Sequence, residues 1–382
     1  MPEYDVIIVG GGPAGVAAAK SSAEAGARTL LLEREPAIAA WKPCGEATSL
    51  ETFTDMGLKA DYPLIVRKAN AMVFAPNGKY VKINQEGYSI NKTFFLQEVA
   101  SKAAQAGAEI HVRESFESFE REGSIVKVKT SSKIYTANVL IGADGYHSAV
   151  AKVAGIKEKS EPIPTVQYIM GNVKLEHPNS VRFYLGDSVA PKGYAWIFPK
   201  TDDIAEVGIG VRGVVAKQYL DKFVKEHSDE LGRAKIIDYR GAPVPIGGLI
   251  KDAVRDNLIL AGDAAGTVIP FTGAGIHASL IAGMVAGRVA AKASNEGDVS
   301  AQRLSEFYSA YDDPWGKRIR SSLKAMKVFE KASDDDFNQL QEILDEGDIL
   351  DLANGFDFSK VASKLMKHPM LAIKIGARLL TS

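Results

Sequence analysis

The chain has 382 residues, 46% of them hydrophobic, a formal net charge of -1 and a single cysteine, Cys44. That length and apolar content can bury cores for roughly two or three domains. The near-zero charge gives no general attraction to nucleic acid, and a lone cysteine excludes an internal disulfide and points to a reducing compartment.

In chain order, Val6, Ile7, Ile8 and Val9 form an apolar run suited to a strand buried on both faces. Gly10, Gly12 and Gly15 follow in the spacing G-x-G-x-x-G, and a helix is predicted from there, with Ala19 letting it lie close to the sheet. A second apolar run, 29–32, ends in Glu33, about twenty residues beyond the glycines. Each piece has a mechanical reason. Gly10 permits a tight turn, Gly12 lets backbone approach a pyrophosphate, and Gly15 brings helix and strand together. The helix N-terminus receives the phosphate charge and Glu33 accepts the ribose hydroxyls. Strand, glycines, helix, strand and acid in register predict a bound dinucleotide. No cationic segment precedes a long apolar one at the N-terminus, so no signal peptide is expected.

Residues 41–47, punctuated by Pro43 and Gly45, read as a loop beside the cofactor crevice, and this loop holds Cys44. Alternation over 71–83 around Pro76-Asn77-Gly78 predicts a hairpin in a different layer. Helical spacing covers 95–106, and 109–112 reads as a strand returning to the parallel sheet. Residues 125–129 and 133–136 form another hairpin joined at Ser131-Ser132, and 139–142 leads back to the nucleotide sheet, ending at Ala143-Asp144-Gly145. The pattern then changes to short alternating segments at 166–173, 181–185, 194–199 and 206–211, an antiparallel sheet inserted into the first domain. A helix over 214–226, a last buried strand over 258–260 followed by Ala261-Gly262-Asp263, and a long packed helix over 276–291 come next. Residues 264–287 are uncharged, but Pro270 and the crowding of glycine and alanine argue against a membrane span. From residue 301 the chain reads as helical, with Asp334-Asp335-Asp336 at the start of one helix. His147 and His277 read as structural, and no spacing of His, Cys and carboxylates suggests a metal site.

The expected fold class is therefore α/β. A Rossmann-like nucleotide-binding domain with a parallel sheet spans 1–60, 90–155 and 252–295. An inserted antiparallel-sheet substrate domain spans 61–89 and 156–251, and a helical C-terminal region spans 296–382.

The glycine fingerprint, Ala143-Asp144-Gly145 and Ala261-Gly262-Asp263 stand in the order found in flavoproteins resembling para-hydroxybenzoate hydroxylase. The resemblance implies FAD, with Asp263 on the ribityl chain and a helix near Gly273-Ala274-Gly275-Ile276 pointing its N-terminus at the flavin ring. By itself Asp144 also reads as a turn aspartate satisfied by local backbone. Two further segments narrow the family: Pro191 to Pro199 fits P-x-x-Y-x-W-x-F-P at every fixed position, and Pro43-Cys44-Gly45 is similar to a P-C-G segment beside the flavin. Together they resemble geranylgeranyl reductases, particularly the archaeal enzymes that saturate digeranylgeranylglycerophospholipids. The implied cofactor set is Gly10, Gly12, Ala14, Gly15, Glu33, Arg34, Cys44, Gly45, Ala47, Lys92, Phe116, Asp144, Asp263, Gly275 and Ile276. Lys92 stands where related flavoproteins generally have arginine, and Glu46, Ala47 and Thr48 replace the family's usual small residues.

Alternation sends Tyr194, Trp196 and Phe198 to one face of a strand, an aromatic wall suited to a long apolar substrate. The implied reaction is hydride transfer from reduced flavin to an isoprenoid C=C bond, with Cys44 the candidate proton donor; its bland alternative is a small buried hydrophobe that only packs. The implied partners are an isoprenoid or ether-lipid substrate and an external electron donor, either a nicotinamide or a small redox protein, since no second glycine fingerprint is present. Two other readings stay open. A monooxygenase or halogenase of the same superfamily would share the FAD segments, though the halogenase motif has tryptophan and isoleucine at the positions of Tyr194 and Phe198. A flavin-loaded protein that binds a membrane surface without turnover draws on Lys360, Lys364, Lys367, Lys374 and Arg378, which lie among apolar residues with no acid after Asp357. The expected location is cytoplasmic, with peripheral contact at the inner face of the cell membrane.

Overall fold

The computed structural model describes residues 1–40, 43–356 and 358–368. Trp41 and Lys42 of the Cys44 loop, Asp357, and the tail with Lys374 and Arg378 lie outside the described residues.

β1 (Tyr4–Val9), α1 (Pro13–Glu24) and β2 (Thr29–Glu33) form a parallel βαβ unit, with Val6 opposite Thr29 and Val9 opposite Leu32. β3 (Ala47–Thr48) and α2 (Leu50–Met56) precede the hairpin of β4 (Ile65–Phe74) and β5 (Tyr80–Ile90), whose turn holds Gly78 at φ +81. α3 (Lys92–Gln105) starts where Asn91 accepts the Phe94 N–H at 3.1 Å, and β6 (Glu109–Val112) follows. β7 (Phe116–Glu122), β8 (Ile125–Thr130) and β9 (Ile134–Gly142) run as an antiparallel ladder into α4 (Ala149–Val153). The predicted segments 133–136 and 139–142 are one strand, β9, because Ala137 and Val139 both pair with β1.

The next strands are β10 (Pro162–Gly171), β11 (Ser180–Tyr184), β12 (Tyr194–Pro199) and β13 (Ile204–Gly210). α5 (Ala216–Glu226), α6 (Ser228–Leu231) and β14 (Lys235–Pro245) come after them. β15 (Val254–Arg255), β16 (Leu258–Leu260) and the long α7 (Ile276–Glu296) return to the first layer. α8 (Ala301–Leu304), α9 (Glu306–Tyr311), α10 (Lys317–Phe329), α11 (Asp334–Ile343), α12 (Glu346–Asn354) and α13 (Phe358–Met366) close the described chain. α11 begins as the acidic run predicts, with Ser333 and Asp336 satisfying each other's backbone N–H.

Among the described residues the strands form two eight-stranded sheets. The first runs β15-β16-β9-β1-β2-β6, with β8 and β7 leaving from β9. β1 lies at its centre, buried from Val6 to Val9, so the glycine turn opens at the carboxyl edge of the sheet. α1 and α7 pack backbone to backbone on one face. A Cβ on Gly283 would meet Ala14 O at 2.0 Å, and one on Gly287 would meet Ala18 O at 2.4 Å. That close contact explains the glycine and alanine of 264–287, and no helix among the described residues is long and apolar enough to cross a membrane.

The second sheet runs β14-β10-β13-β12-β11-β4-β5-β3. Most pairs are antiparallel, but β11 lies parallel to β4, because the hairpin that joins this sheet comes from an earlier, separate stretch of chain. Besides the two-residue strands β3 and β15, two strands escaped the pattern reading, β7 and β14. β7 is a charged strand that ends the ladder, and β14 is an edge strand that tolerates Pro243, Pro245 and the exposed Ile236 and Ile237.

Candidate functional site

A cavity of about 790 Å³ extends from the carboxyl ends of β1 and β9, past β12, to the helices α10–α12. At its first end lie Gly10, Gly12, Ala14, Glu33 and Arg34, joined by Lys92, Phe116 and Asp144 and, across the crevice, by Asp263, Gly275 and Ile276. Cys44, Gly45 and Ala47 line the middle together with Tyr194, Trp196 and Phe198. Of the predicted site residues Gly15 alone is not at the cavity surface; a Cβ there would meet Gly10 O at 1.7 Å, so it works by bringing helix and strand together.

The first end is shaped for an anion. Gly10 turns at φ +105, where a Cβ would come 2.4 Å from Ala143 O. Gly12 is the N-cap of α1 and Gly275 that of α7, so neither helix has a cap side chain to occupy its first N–H groups. Both termini border the cavity, and a diphosphate or a ring carbonyl fits such ends. Glu33 is buried; Gly11 N–H reaches its Oε2 at 2.6 Å and Glu35 N–H its Oε1 at 2.9 Å, which fixes the carboxylate at the wall. Arg34 is exposed and pairs with Glu35 at 3.3 Å. Lys92 is buried at the first residue of α3, and Phe116 stands at the start of β7.

The two acids differ. Asp144 accepts Ser148 Oγ at 2.6 Å and the N–H groups of Ala149 and Val150 at 2.7 and 3.1 Å, so its carboxylate tethers the start of α4. Burial raises its pKa above the ordinary carboxylate range against those bonds. Asp263 lies in a short 3₁₀ turn after β16, exposed toward the cavity and near the Gly275 backbone. His277 donates its Nε2–H to the Asp55 carboxylate at 2.7 Å and packs edge-on against Trp315 at the side of α7.

Glycines set the aromatic wall. Trp196 lies over Gly208 of the neighbouring strand, where a Cβ would come 2.2 Å from the indole, and Phe198 lies against Gly45, where a Cβ would come 2.8 Å from its ring. Tyr194 donates to Thr272 O in the loop before α7, and burial raises its pKa. The alternate residues Ala195 and Ile197 face the other way, into a core with Leu220 and Phe223 of α5. Behind the wall sit groups that the pattern reading missed. Glu206, on β13, accepts Trp196 Nε1–H at 3.0 Å, and Lys200 lies 3.5 Å from its other oxygen. The one signal in the sequence is that Glu206 is the lone acid in the strand Ile204–Gly210; its partner Trp196 shows only in the cross-strand arrangement.

Toward the far end the lining is largely apolar: Val81 and Ile83 of the hairpin and Phe183 of β11 line the cavity with Phe329, Phe337, Leu340 and Leu352 of the C-terminal helices. The helices are thus a wall of the site as well as a cap.

Comparison with known proteins identifies this arrangement. The FAD dependent oxidoreductase family matches residues 5–198, and the geranylgeranyl reductase catalytic domain matches residues 162–244. The digeranylgeranylglycerophospholipid reductase of Methanocaldococcus jannaschii is 36% identical over 385 residues, covering 96% of each chain. The chain belongs to the digeranylgeranylglycerophospholipid reductase family. Digeranylgeranylglycerophospholipid reductase 2 of Methanopyrus kandleri is 33% identical over 99% of this chain and 100% of its own. Among solved structures, a geranylgeranyl bacteriochlorophyll reductase-like protein of Thermoplasma acidophilum has a TM-score of 0.85 at 28% identity, over 98% of this chain and 99% of its own. A flavin-dependent brominase has a TM-score of 0.75 at 17% identity, over 96% and 98%, and shows a shared fold only. Membership makes this reductase-family chain an FAD-dependent oxidoreductase, and the glycine turn and the two open helix termini fit that cofactor.

Proposed function

We propose that the enzyme saturates the isolated double bonds of geranylgeranyl chains in an archaeal-type ether phospholipid or a related polyprenyl compound. One observation carries the reading: a single cavity joins the nucleotide-binding turn to an aromatic and aliphatic chamber. FAD supplies the hydride when it is bound and reduced. The chain's own residues do the rest. Gly10, Gly12, Ala14 and the start of α1 hold the diphosphate, Glu33 the ribose, Asp263 the ribityl chain, and Gly275-Ile276 the ring edge, with Arg34, Ala47, Lys92, Phe116 and Asp144 around them. An isolated alkene has no carbonyl to polarise, so positioning and exclusion of water and oxygen fall to Tyr194, Trp196, Phe198 and the apolar chamber. Cys44, beside that wall, gives the proton to the second carbon. Electrons reach the flavin from outside the chain, from a transiently bound nicotinamide or a small redox protein.

A lipid with two prenyl chains does not diffuse freely through water, so we place its transfer at a membrane surface. Lys360 and Lys364 are held by acids of the α12 segment, and the test of membrane contact therefore falls on Lys367 and the tail beyond it. The reading itself is tested in an anaerobic half-reaction. Enzyme reduced with dithionite should regain the oxidised flavin absorbance when digeranylgeranyl lipid is added; flavin that stays reduced with lipid in excess contradicts it.

A further inference from the structure

The loop carrying Cys44 is fastened by charges behind the aromatic wall that no step above uses. Glu46 stands at φ +57, a conformation that residues with a Cβ adopt only when their surroundings hold them. Its carbonyl accepts the Ile90 N–H at 2.8 Å, its N–H donates to Cys44 Sγ at 3.4 Å, and its carboxylate takes Lys200 Nζ at 3.3 Å. The same ammonium donates to Gly45 O at 3.2 Å and lies 3.5 Å from Glu206 Oε2. Glu206 in turn holds the indole of Trp196. One cation thus meets the loop at two points and the wall at a third. The Glu206 side chain is 1% exposed and that of Lys200 12%, so water competes little for these contacts. Burial alone would depress the Lys200 pKa, but Glu206 and Glu46 together lift it above the ordinary lysine range and keep it charged.

We propose that Glu46, Lys200 and Glu206 are positioning residues that staple the Cys44 loop to Trp196, so that the thiol and the aromatic wall keep one fixed spacing across the cavity. The staple deepens, and rests on, the reading of Cys44 and Trp196 as parts of the reducing site. Lys200→Met removes both contacts of the cation with the loop and Glu46→Ala only one of them, so adding Glu46→Ala to Lys200→Met should change nothing further.

The test is hydrogen–deuterium exchange of the FAD-loaded full chain, followed in a peptide spanning 43–49, with a peptide from α7 as control. Lys200→Met is expected to speed exchange in the loop about tenfold and Glu46→Ala by a smaller factor, with α7 unchanged, and the double variant to exchange no faster than Lys200→Met. Glu46→Ala removes only the loop's own carboxylate and decides between the outcomes by itself if Lys200→Met does not fold. A loop that exchanges at the wild-type rate in Glu46→Ala, or effects that multiply in the double variant, overturns the staple. Lipid turnover is read in the same samples. A released loop in an enzyme whose wild type reduces no lipid strikes the assigned reaction and leaves the staple; a wild-type loop with working turnover strikes the staple alone.

Discussion

Small residues decide where the large ones lie. Trp196 can rest flat because its cross-strand partner is Gly208, and Gly208→Ala would force the indole to move, at a cost of about 1–3 kcal/mol in stability. Chemical denaturation should show that loss together with weakened lipid turnover. Trp196→Ala should lower turnover at least roughly tenfold, about 1.4 kcal/mol in the barrier, while flavin content stays near wild type, because the ring faces the chamber and not the nucleotide. Gly12→Val should instead lose the flavin, and turnover with it, and give a colourless protein, since the added carbons fill the space beside the α1 terminus; a yellow Gly12→Val protein would sink the assignment of that turn. The motif residues were legible because their spacing is local. Gly208 and Glu206 were not, since their meaning lies in cross-strand register with Trp196 and Phe198, which no local pattern displays.

At the scale of elements, the charge division of the C-terminal quarter resolves into a clasp. Lys364 of α13 reaches Asp345, the N-cap of α12, at 2.6 Å and also pairs with the buried Asp348, while Lys360 reaches Asp351 at 3.4 Å. Read along the chain, Lys360 and Lys364 suggest a membrane surface; read in space, they bind acids of the α12 segment. The hydrogen bond from Lys364 holds the Asp345 pKa at about 2, below its ordinary 3.8. The folded chain therefore binds fewer protons than the unfolded chain between those values. The stabilisation is complete above about pH 4 and fades as pH falls towards 2. Lys364→Met should lower the melting temperature at pH 6, and the gap from wild type should narrow at pH 3; a gap independent of pH would remove Asp345 from the clasp. The edges of the sheets were the other illegible elements, because the exposed β14, with its prolines, and the charged β7 lack the alternation that marks a half-buried strand.

Across the whole molecule, function depends on three distant stretches of chain meeting at one cavity. The order of fingerprint, Asp144 and Asp263 made the parallel sheet readable, because each lies at the end of a strand buried on both faces. The roof of the chamber was not readable. Phe329, Phe337, Leu340 and Leu352 look like any apolar helix face until the helices are seen opposite β4, β5 and β11. That closure is what suits the site to a long hydrocarbon, and the most direct test follows the hydrocarbon itself. Mass spectrometry of digeranylgeranyl lipid after incubation with dithionite-reduced enzyme should show stepwise gain of hydrogen pairs, lost in Trp196→Ala and in Gly12→Val. Unchanged lipid, or product carrying oxygen or halogen in place of added hydrogen, would contradict the reductase reading.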